Sequence, residues 1–409
     1  MPRVFPFLLP LVAFGWLQTS PAPDEIFVDM VQKGAVSLAV RDFTGVDDQS
    51  RALASEITEV LRADLDFAAV YRVVTGIADL EVEGETSHRG NELLCRVRIY
   101  LGNRREMIFG TEYTTIHSAR RLAHRIADDI LSKAGQEGIA STLIAFASNR
   151  GGDKAIYQMD YDGYQQKPVT RDHFLDLAPR WSPDGRELSF VSYPRKQAAP
   201  ALALVGPGGT RQLFQGTNMV TSGAFSPDGS RIAFSSSHEG DAEIYVMNRD
   251  GSNLRRLTVH PSSDVSPTWS PTGKEIAFTS DRSGSPQIYV MDDEGLNLRR
   301  LPLPGSYNAE PAWSPSTKEG FAEIAYASRI EGARFDIVIY NFVTKQARQL
   351  TAGRGMNESP SWAPNGGHLV FTSTRSGTSQ IFTIHRDGSN LRQVTFDENT
   401  TPSWGPVRR

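Results

Sequence analysis

The sequence predicts a six-bladed β-propeller, with four strands in each blade, preceded by a small mixed α/β domain. Two features lead to this prediction. A landmark of one aromatic residue followed by a turn recurs through the C-terminal two thirds of the chain, and short runs of alternating apolar and polar residues lie between the landmarks. Residues 24–140 lack this period and combine helical with strand-like patterns.

The landmark occurs six times, and successive copies are 44, 44, 44, 49 and 42 residues apart. A period of this length, with strands in between, is typical of one four-stranded propeller blade. Within one unit, Glu275–Ser280 and Gln287–Met291 have strand patterns and are joined by the turn Asp281–Gly284. We expect the large aromatic residue of each landmark to fill the space between neighbouring blades. The six are Trp181, Phe225, Trp269, Trp313, Trp362 and Trp404.

The strand sets and the landmarks are out of step at the two ends of the repeat region. The first set of strands, which begins at Leu143, has no landmark before it, and the last landmark, Trp404, has no strands after it. The sequence therefore predicts that the C-terminal strand around Thr401–Trp404 completes the blade begun at Leu143. Closing the ring in this way removes the exposed sheet edges that an open array would leave.

The chain is predicted to divide into a secretory signal at residues 1–22, an α/β domain at 23–138 and the propeller at 139–409. The signal is predicted because Arg3 precedes the apolar run Val4–Leu17, which small and polar residues follow at Gln18–Ala22. This run is shorter than the ~20 apolar residues that span a bilayer. We therefore expect an exported protein with no transmembrane span.

Hydrophobic periodicity predicts the elements of the α/β domain. A turn at His88–Asn91 is expected between its first two long strands. In the helix that precedes the propeller, Arg120, Arg121 and Arg125 are accompanied by Asp128 and Asp129, which indicates a solvated face rather than a phosphate site. The predicted elements are a strand at Ala35–Val40, a helix at Asp47–Asp64, strands at Ala78–Glu85, Leu93–Leu101 and Arg105–Thr114, and a helix at Ser118–Lys133.

Composition and motifs argue against several classes of function. The chain has 43 Lys and Arg against 47 Asp and Glu, without the basic excess that nucleic-acid binding requires. It contains no glycine-rich phosphate loop and no Gly-x-Ser-x-Gly motif, and its eight His residues do not have the spacing of metal ligands. The single cysteine, Cys95, stands in an apolar-alternating run and is expected to be a small buried hydrophobe. We therefore predict no catalytic residues, no cofactor and no metal.

A partner-binding site is predicted where the segments that enter the inner strands gather around one mouth of the central channel. These segments differ from one another and mix apolar with polar residues, as a transient protein interface does. The alternative is that they are solvated connections only. The segments are Asp172–Leu177, Thr217–Ser222, His260–Ser266, Ser306–Glu310, Gly355–Ser359 and Asp397–Thr400, and the predicted site residues are Asn218, Met219, Asp264, Tyr307, Asn308, Glu310, Met356, Asn357 and Glu358.

Several parts of the sequence resemble the TolB family. The blade repeats do so, as do the segment Met159–Tyr164, the junction Gly138–Ile144 after the helix Arg120–Leu131, and the ending Pro402–Pro406. The resemblance covers most of the mature chain and is specific through the combination of these segments.

The resemblance implies a periplasmic, non-enzymatic component of the Tol–Pal envelope system. Such a protein binds the peptidoglycan-associated lipoprotein Pal through its propeller and TolA through its mature N-terminal segment, and it supports outer-membrane integrity and cell division. We expect it to be a monomer. Two alternatives stay open at this point: an envelope propeller enzyme, such as a lyase or a peptidase-associated domain, and a propeller with an unrelated protein partner.

Overall fold

A computed structural model describes residues 36–102, 104–116, 118–171, 174–221, 223–315, 322–330 and 332–407. The predicted secretory signal and the segment that follows it lie outside these ranges. The described residues form a mixed α/β region followed by six four-stranded antiparallel sheets, which confirms the predicted fold class. No helix in the described ranges is both long and apolar enough to cross a bilayer.

The α/β region contains two helices and one sheet. Helix α1 spans Asp48–Phe67 and is capped by Asp47, whose side chain accepts a hydrogen bond from the backbone N–H of Ser50. Helix α2 spans Ala119–Lys133. The sheet has the order β3-β1-β4-β5-β6, with β2 beside β4. Its strands are β1 Ser37–Val40, β2 Thr44–Gly45, β3 Arg72–Val73, β4 Leu80–Arg89, β5 Glu92–Leu101 and β6 Glu106–Thr115.

Both helices and the four longer strands lie where the sequence predicts them, and the two-residue strands β2 and β3 were not predicted. The predicted turn at His88–Asn91 is too long. His88 and Arg89 still pair with β5, and the chain reverses at Gly90 and Asn91, because Gly90 adopts φ 63° in a short hairpin connection. Cys95 is fully buried as expected, and burial raises the pKa of its thiol to about 12.

Each blade consists of four antiparallel strands. Blade 1 contains β7 (Leu143–Ser148), β8 (Ala155–Asp160), β9 (Lys167–Pro168) and the C-terminal strand β30 (Asn399–Trp404). The strands of blades 2 to 6, in chain order, are β10 Leu175–Trp181, β11 Leu188–Tyr193, β12 Ala201–Gly206 and β13 Gly209–Gln215; β14 Ala224–Phe225, β15 Arg231–Ser236, β16 Glu243–Asn248 and β17 Arg255–Arg256; β18 Asp264–Trp269, β19 Glu275–Ser280, β20 Gln287–Asp292 and β21 Arg299–Arg300; β22 Tyr307–Trp313, β23 Glu323–Arg329, β24 Asp336–Asn341 and β25 Gln346–Gln349; β26 Asn357–Trp362, β27 His368–Ser373, β28 Gln380–His385 and β29 Arg392–Gln393.

The two ends of the repeat region close the ring, as predicted. Strand β30 pairs with β7 from Asn399 opposite Ser148 to Trp404 opposite Ile144. The indole Nε1 of Trp404 donates a hydrogen bond of 2.8 Å to Oγ1 of Thr142, just before β7. Blade 1 is therefore built from both ends of the propeller sequence, and its innermost strand comes last in the chain.

The landmark aromatics connect neighbouring blades. Trp269 of blade 4 donates from Nε1 to the carbonyl of Ala224 in blade 3 (3.1 Å), and Trp362 of blade 6 donates to the carbonyl of Ala312 in blade 5 (3.0 Å). Both indoles are buried in apolar clusters that include the preceding blade. This confirms the predicted packing role for these two residues.

The α/β region and the propeller share one buried apolar cluster. It includes Phe67 of α1, Ile130 of α2, Ile144 of β7, Val370 of β27 and Trp404 of β30. The two parts of the chain are therefore packed against each other through a common core, rather than joined only by a linker.

The prediction of a solvated face on α2 is wrong for part of that helix. The Arg120 side chain is only 14% exposed, because it packs against the turn after β8, where it forms an ion pair with Asp162. The Asp128 carboxylate accepts hydrogen bonds from the backbone N–H groups of Ala140 and Ser141, at 2.8 and 2.9 Å. The start of the propeller covers this face, which a helix taken alone does not reveal.

Candidate partner-binding site

One strand at the inner edge of each blade lines a central channel with a volume of about 670 Å³. We call these the inner strands; they are β30, β10, β14, β18, β22 and β26. We call the end of the channel at which the inner strands begin the front mouth. Neighbouring strands of a blade are antiparallel, so the inner strand and the third strand run in the same direction, away from the front mouth. The end of the inner strand β26 and the end of the third strand β8 therefore lie on the opposite face. The α/β region contacts that opposite face, through Phe67 to His368 and through Asp64 to Tyr161. The front mouth therefore faces away from the α/β region.

Most of the predicted site residues lie within strands, not in loops as the sequence interpretation assumed. Strand β18 begins at Asp264, β22 at Tyr307 and β26 at Asn357, and the backbone pairing with the next strand starts at these same residues. Asn308, Glu310 and Glu358 consequently belong to inner strands. Of the predicted site residues, Asn218, Met219 and Met356 precede their strands.

Asp264, Asn308 and Asn357 are fully buried and connect neighbouring blades. The side chain of Asn308 donates from Nδ2 to Oε1 of Gln287 in blade 4 (2.8 Å) and accepts from Oγ of Ser328 (2.6 Å). Together with their equivalents they form what we call the inter-blade clamp. In each member the backbone N–H donates to a carbonyl of the preceding blade at 2.7–2.9 Å; the members are Asp176, Asp264, Asn308, Asn357 and Asn399.

The clamp could have been recognised in the sequence. Each clamp residue stands five positions before the landmark Trp of its blade, and a proline stands two positions before that Trp, as in Asn308, Pro311 and Trp313. The segments at the front mouth therefore repeat in part, and the interpretation that they simply differ from one another was incomplete. Three of the nine predicted site residues are thus buried clamp residues that do not reach the surface: the side chains of Asn308 and Asn357 bond to the preceding blade, and that of Asp264 pairs with Arg282 of its own blade.

A β-bulge follows the clamp in five inner strands. The register of each strand shifts there, and the residue two positions after the clamp has φ between 51° and 56°. Such bulges bend a strand and redirect its side chains. Glu310 occupies this position in β22, and its Oε2 accepts from the backbone N–H (2.6 Å) and Oγ (3.3 Å) of Ser359 in blade 6. The carboxylate of Glu310 thus stabilises the backbone of the neighbouring inner strand β26.

Arg180 and Glu310 line the channel, and the charge of Glu310 acts on both Arg180 and Glu358. Burial lowers the pKa of the Arg180 guanidinium, and the carboxylate of Glu310 opposes that shift. Burial, reinforced by the neighbouring charge of Glu310, raises the pKa of Glu358. The sequence interpretation identified both acids but missed Arg180, which follows a buried proline in the bulge of β10.

The accessible part of the front mouth is a mixture of apolar and polar side chains. Asn218 is exposed, and Met219, Tyr307, Met356 and Glu358 are half-buried. Hydroxyl groups hold the backbone of both methionines: Met219 N–H donates to Oγ of Ser237 (3.0 Å) and Met356 N–H to Oγ1 of Thr374 (2.8 Å). Tyr307 stands edge-on to Phe335, with ring centroids 5.0 Å apart. Adaptable side chains are thus presented on a fixed backbone.

Two exposed apolar residues on the same face were missed. Val259 and Phe396 are each 80% exposed, in the connections from β17 to β18 and from β29 to β30. These connections join an outer strand to the next inner strand and therefore lie on the face of the front mouth. Apolar residues in otherwise polar connections were the signal that could have found them.

One group of side chains has the composition of a metal site, away from the channel. Among the described residues, ligand atoms of Asp64, His124 and Asp162 lie within 4.8 Å of one another. Each already has a protein partner: Nδ1 of His124 is 2.7 Å from Oδ2 of Asp64, and Arg120 forms an ion pair with Asp162. These contacts describe a hydrogen-bonded ion cluster between the α/β region and blade 1.

Comparisons with known proteins identify the TolB family. A family described as the TolB beta propeller domain matches residues 132–408. The chain is similar to the Tol-Pal system protein TolB of Geobacter sulfurreducens, with 34% identity over 215 residues that cover 46% of this chain and 49% of that protein. It is also similar to the Tol-Pal system protein TolB of Bordetella pertussis, with 32% identity over 215 residues that cover 47% of this chain and 48% of that protein. The chain thus spans about half the length of these curated relatives. The crystal structure of TolB from Acinetobacter baumannii matches with a TM-score of 0.76 and 25% identity, covering 91% of this chain and 97% of that one.

Proposed function

Because the chain belongs to the TolB β-propeller family, we propose that it is a periplasmic, non-enzymatic component of the Tol–Pal system. In this proposal the front mouth of the propeller binds a Pal-type peptidoglycan-associated lipoprotein, and binding supports outer-membrane integrity and cell division. The names of the similar proteins from two organisms support the assignment to this system.

The accessible residues of the front mouth are the observation that carries the proposed site. Met219, Tyr307 and Met356 offer partly exposed apolar surface next to the polar side chains of Asn218 and Glu358. Protein interfaces combine an apolar centre enriched in Met and Tyr with a polar rim. Because the inter-blade clamp and the bulges fix the backbone next to Tyr307, Met356 and Glu358, little order has to be created there when a partner binds.

The proposal extends to a second partner. The mature N-terminal segment, which lies outside the described ranges, would bind TolA, as the resemblance of the sequence implies. This contact would use a different part of the chain from the front mouth, so that the two binding events can be tested separately.

Titration calorimetry of the protein with the soluble domain of a Pal-type lipoprotein tests the front mouth. We expect the double variant Met219→Ala, Met356→Ala to bind at least ~tenfold more weakly, which corresponds to about 1.4 kcal/mol. Glu358→Lys tests the polar rim in the same assay. Charge reversal at Glu310 is not a clean test, because its carboxylate holds the backbone of Ser359.

Val343→Ala is the matched control. Val343 is 77% exposed in the turn between β24 and β25, at the outside of blade 5 and away from the front mouth. It should bind like the wild type. Unchanged affinity of the double variant would place the interface elsewhere on the propeller, and no binding by the folded wild type would refute the proposed partner.

A further inference from the structure

His124 occupies a closed position between the α/β region and the first blade. It projects from α2 toward α1 on one side and the turn after β8 on the other, and it is 3% exposed. Its Nδ1 is 2.7 Å from Oδ2 of Asp64 on α1. Its Nε2 is 3.8 Å from Oδ2 of Asp162, in the turn of blade 1.

The Asp64 carboxylate continues this chain of contacts into the propeller. Its second oxygen, Oδ1, accepts a hydrogen bond of 2.7 Å from the hydroxyl of Tyr161, which is also buried. One carboxylate of α1 is thereby bonded to α2 and to blade 1 at once. The α/β region and the propeller are joined here through polar contacts as well as through their common apolar core.

Both ring nitrogens of His124 face acidic groups. Nε2 has no hydrogen-bond partner among the described residues, and the nearby Asp160 carboxylate also has a buried, unpartnered oxygen, Oδ2. A neutral imidazole has one N–H and one lone pair, so that one of its nitrogens would direct a lone pair toward a carboxylate. The imidazolium has a donor at each nitrogen. The geometry therefore suits the charged ring.

The other charged groups around the ring do not reverse this preference. On α2, Arg120 is paired with Asp162 and lies 3.5 Å from the centre of the Tyr164 ring, and Arg121 contacts Gln165. The remaining acid of α2 that faces α1 is Asp128. From blade 6, Arg392 acts on Tyr161 and pairs with Asp66 of α1. The acids that face the ring or its partners are Asp64, Asp128, Asp160 and Asp162, so four acidic groups stand against three arginines, Arg120, Arg121 and Arg392.

The direction of the pKa shift agrees with the geometry. Burial by itself lowers the pKa of His124, but the hydrogen bond and charge of Asp64, together with the charge of Asp162, raise it above 6.5 overall. A base with a raised pKa in the folded protein contributes its full stability below its unfolded pKa. That contribution is lost as the pH rises through the folded pKa. Alkaline conditions should therefore weaken this contact.

We propose that His124 is a protonation-dependent latch between the α/β region and the propeller, closed while its imidazole is charged and loosened when the proton leaves. The acidic neighbours that resemble a metal site are, in this view, the partners of an imidazolium. This inference concerns the contact between the two parts of the chain and does not rest on the proposed binding of a lipoprotein.

Hydrogen–deuterium exchange of the full chain between pH 6 and pH 9 tests the latch. Protection factors, corrected for the intrinsic effect of pH, are compared for α2 and for the turn that contains Tyr161. We expect protection to fall at least ~tenfold toward pH 9 in the wild type, as local opening becomes easier. His124→Gln should show the lower protection at both pH values. His238→Gln, at an exposed histidine of blade 3, should behave as the wild type.

A second measurement follows the proton itself and remains available if His124→Gln does not fold. Imidazole ¹⁵N NMR should show both nitrogens of His124 protonated at pH 6, and Asp64→Asn should move the midpoint of its titration to lower pH. A neutral His124 ring at pH 6 would overturn the proposal. So would a pH-independent protection pattern, or zinc binding by calorimetry that is lost in His124→Gln, since the cluster would then be a metal site.

Discussion

We predict that the protein loses stability in acid because of His368, by an amount that follows from the environment of this side chain. It begins β27, is 1% exposed, and its Nε2 lies 2.9 Å from the backbone carbonyl of Phe67 at the end of α1. A carbonyl can only accept, so Nε2 carries the proton, and Nδ1 faces the side chain of Asn365. Burial lowers the pKa of this ring to about 3, although the Phe67 carbonyl acts in the opposite direction.

The sign and size of the effect follow from linkage. The unfolded chain takes up a proton below pH 6.5, whereas the folded protein keeps the ring neutral until about pH 3. Protonation of the unfolded state therefore lowers the free energy of unfolding as the pH falls through this window. At 1.36 kcal/mol per pH unit the loss is about 2 kcal/mol at pH 5 and about 4–5 kcal/mol near pH 3.

Urea denaturation at pH 7.5 and pH 5 measures this loss. His368→Gln keeps a side-chain N–H donor for the Phe67 carbonyl but cannot be protonated. We expect the wild type to lose about 2 kcal/mol more than His368→Gln between the two pH values. Other acid-sensitive groups affect both proteins equally, and His238→Gln controls for the removal of an exposed histidine. Parallel losses in the wild type and His368→Gln would refute the assigned neutral state of His368.

Two further predictions concern the propeller ring. Deleting Pro402–Arg409 removes half of the strand that closes blade 1, which should lower the free energy of unfolding by several kcal/mol. The melting temperature in a differential scanning fluorimetry experiment should therefore fall markedly. An unchanged melting temperature would contradict the role of ring closure. Asn308→Ala removes two buried side-chain hydrogen bonds of a clamp residue and leaves Oε1 of Gln287 without its donor, so it should cost about 2–4 kcal/mol in urea denaturation. A loss no larger than that of an exposed Asn218→Ala variant would show that the clamp adds no stability.

The architecture was accessible from the sequence because the propeller repeats. A landmark every 44 residues or so, with strand patterns between, predicts blade number and strand order. The mismatch between Leu143 and Trp404 predicts ring closure, and the pairing of β30 with β7 confirms it. In each case the signal is local: hydrophobic alternation, turn residues and spacing, which are properties of neighbouring positions along the chain.

The candidate site was predictable only in part. The predicted segments do lie at the beginnings of the inner strands, yet side-chain direction decides whether a residue there reaches the surface or contacts a neighbouring blade. Asn308 and Asn218 are both polar residues near the front mouth, but one is buried in the inter-blade clamp and the other is exposed. Composition cannot separate these roles, because an amide serves equally well in a buried hydrogen bond and in contact with water.

The sequence by itself determined the blade count, the ring closure and the helices and long strands of the α/β region, since each depends on periodicity or on turn chemistry. Only the tertiary structure decided how the α/β region meets the propeller. His124 and His368 are ordinary histidines in the sequence, 244 positions apart. The fold places one between carboxylates and the other against a backbone carbonyl in an apolar environment, so that their pKa values move in opposite directions. The physical reason is that burial and charge around a group come from residues distant in sequence, which no local pattern encodes.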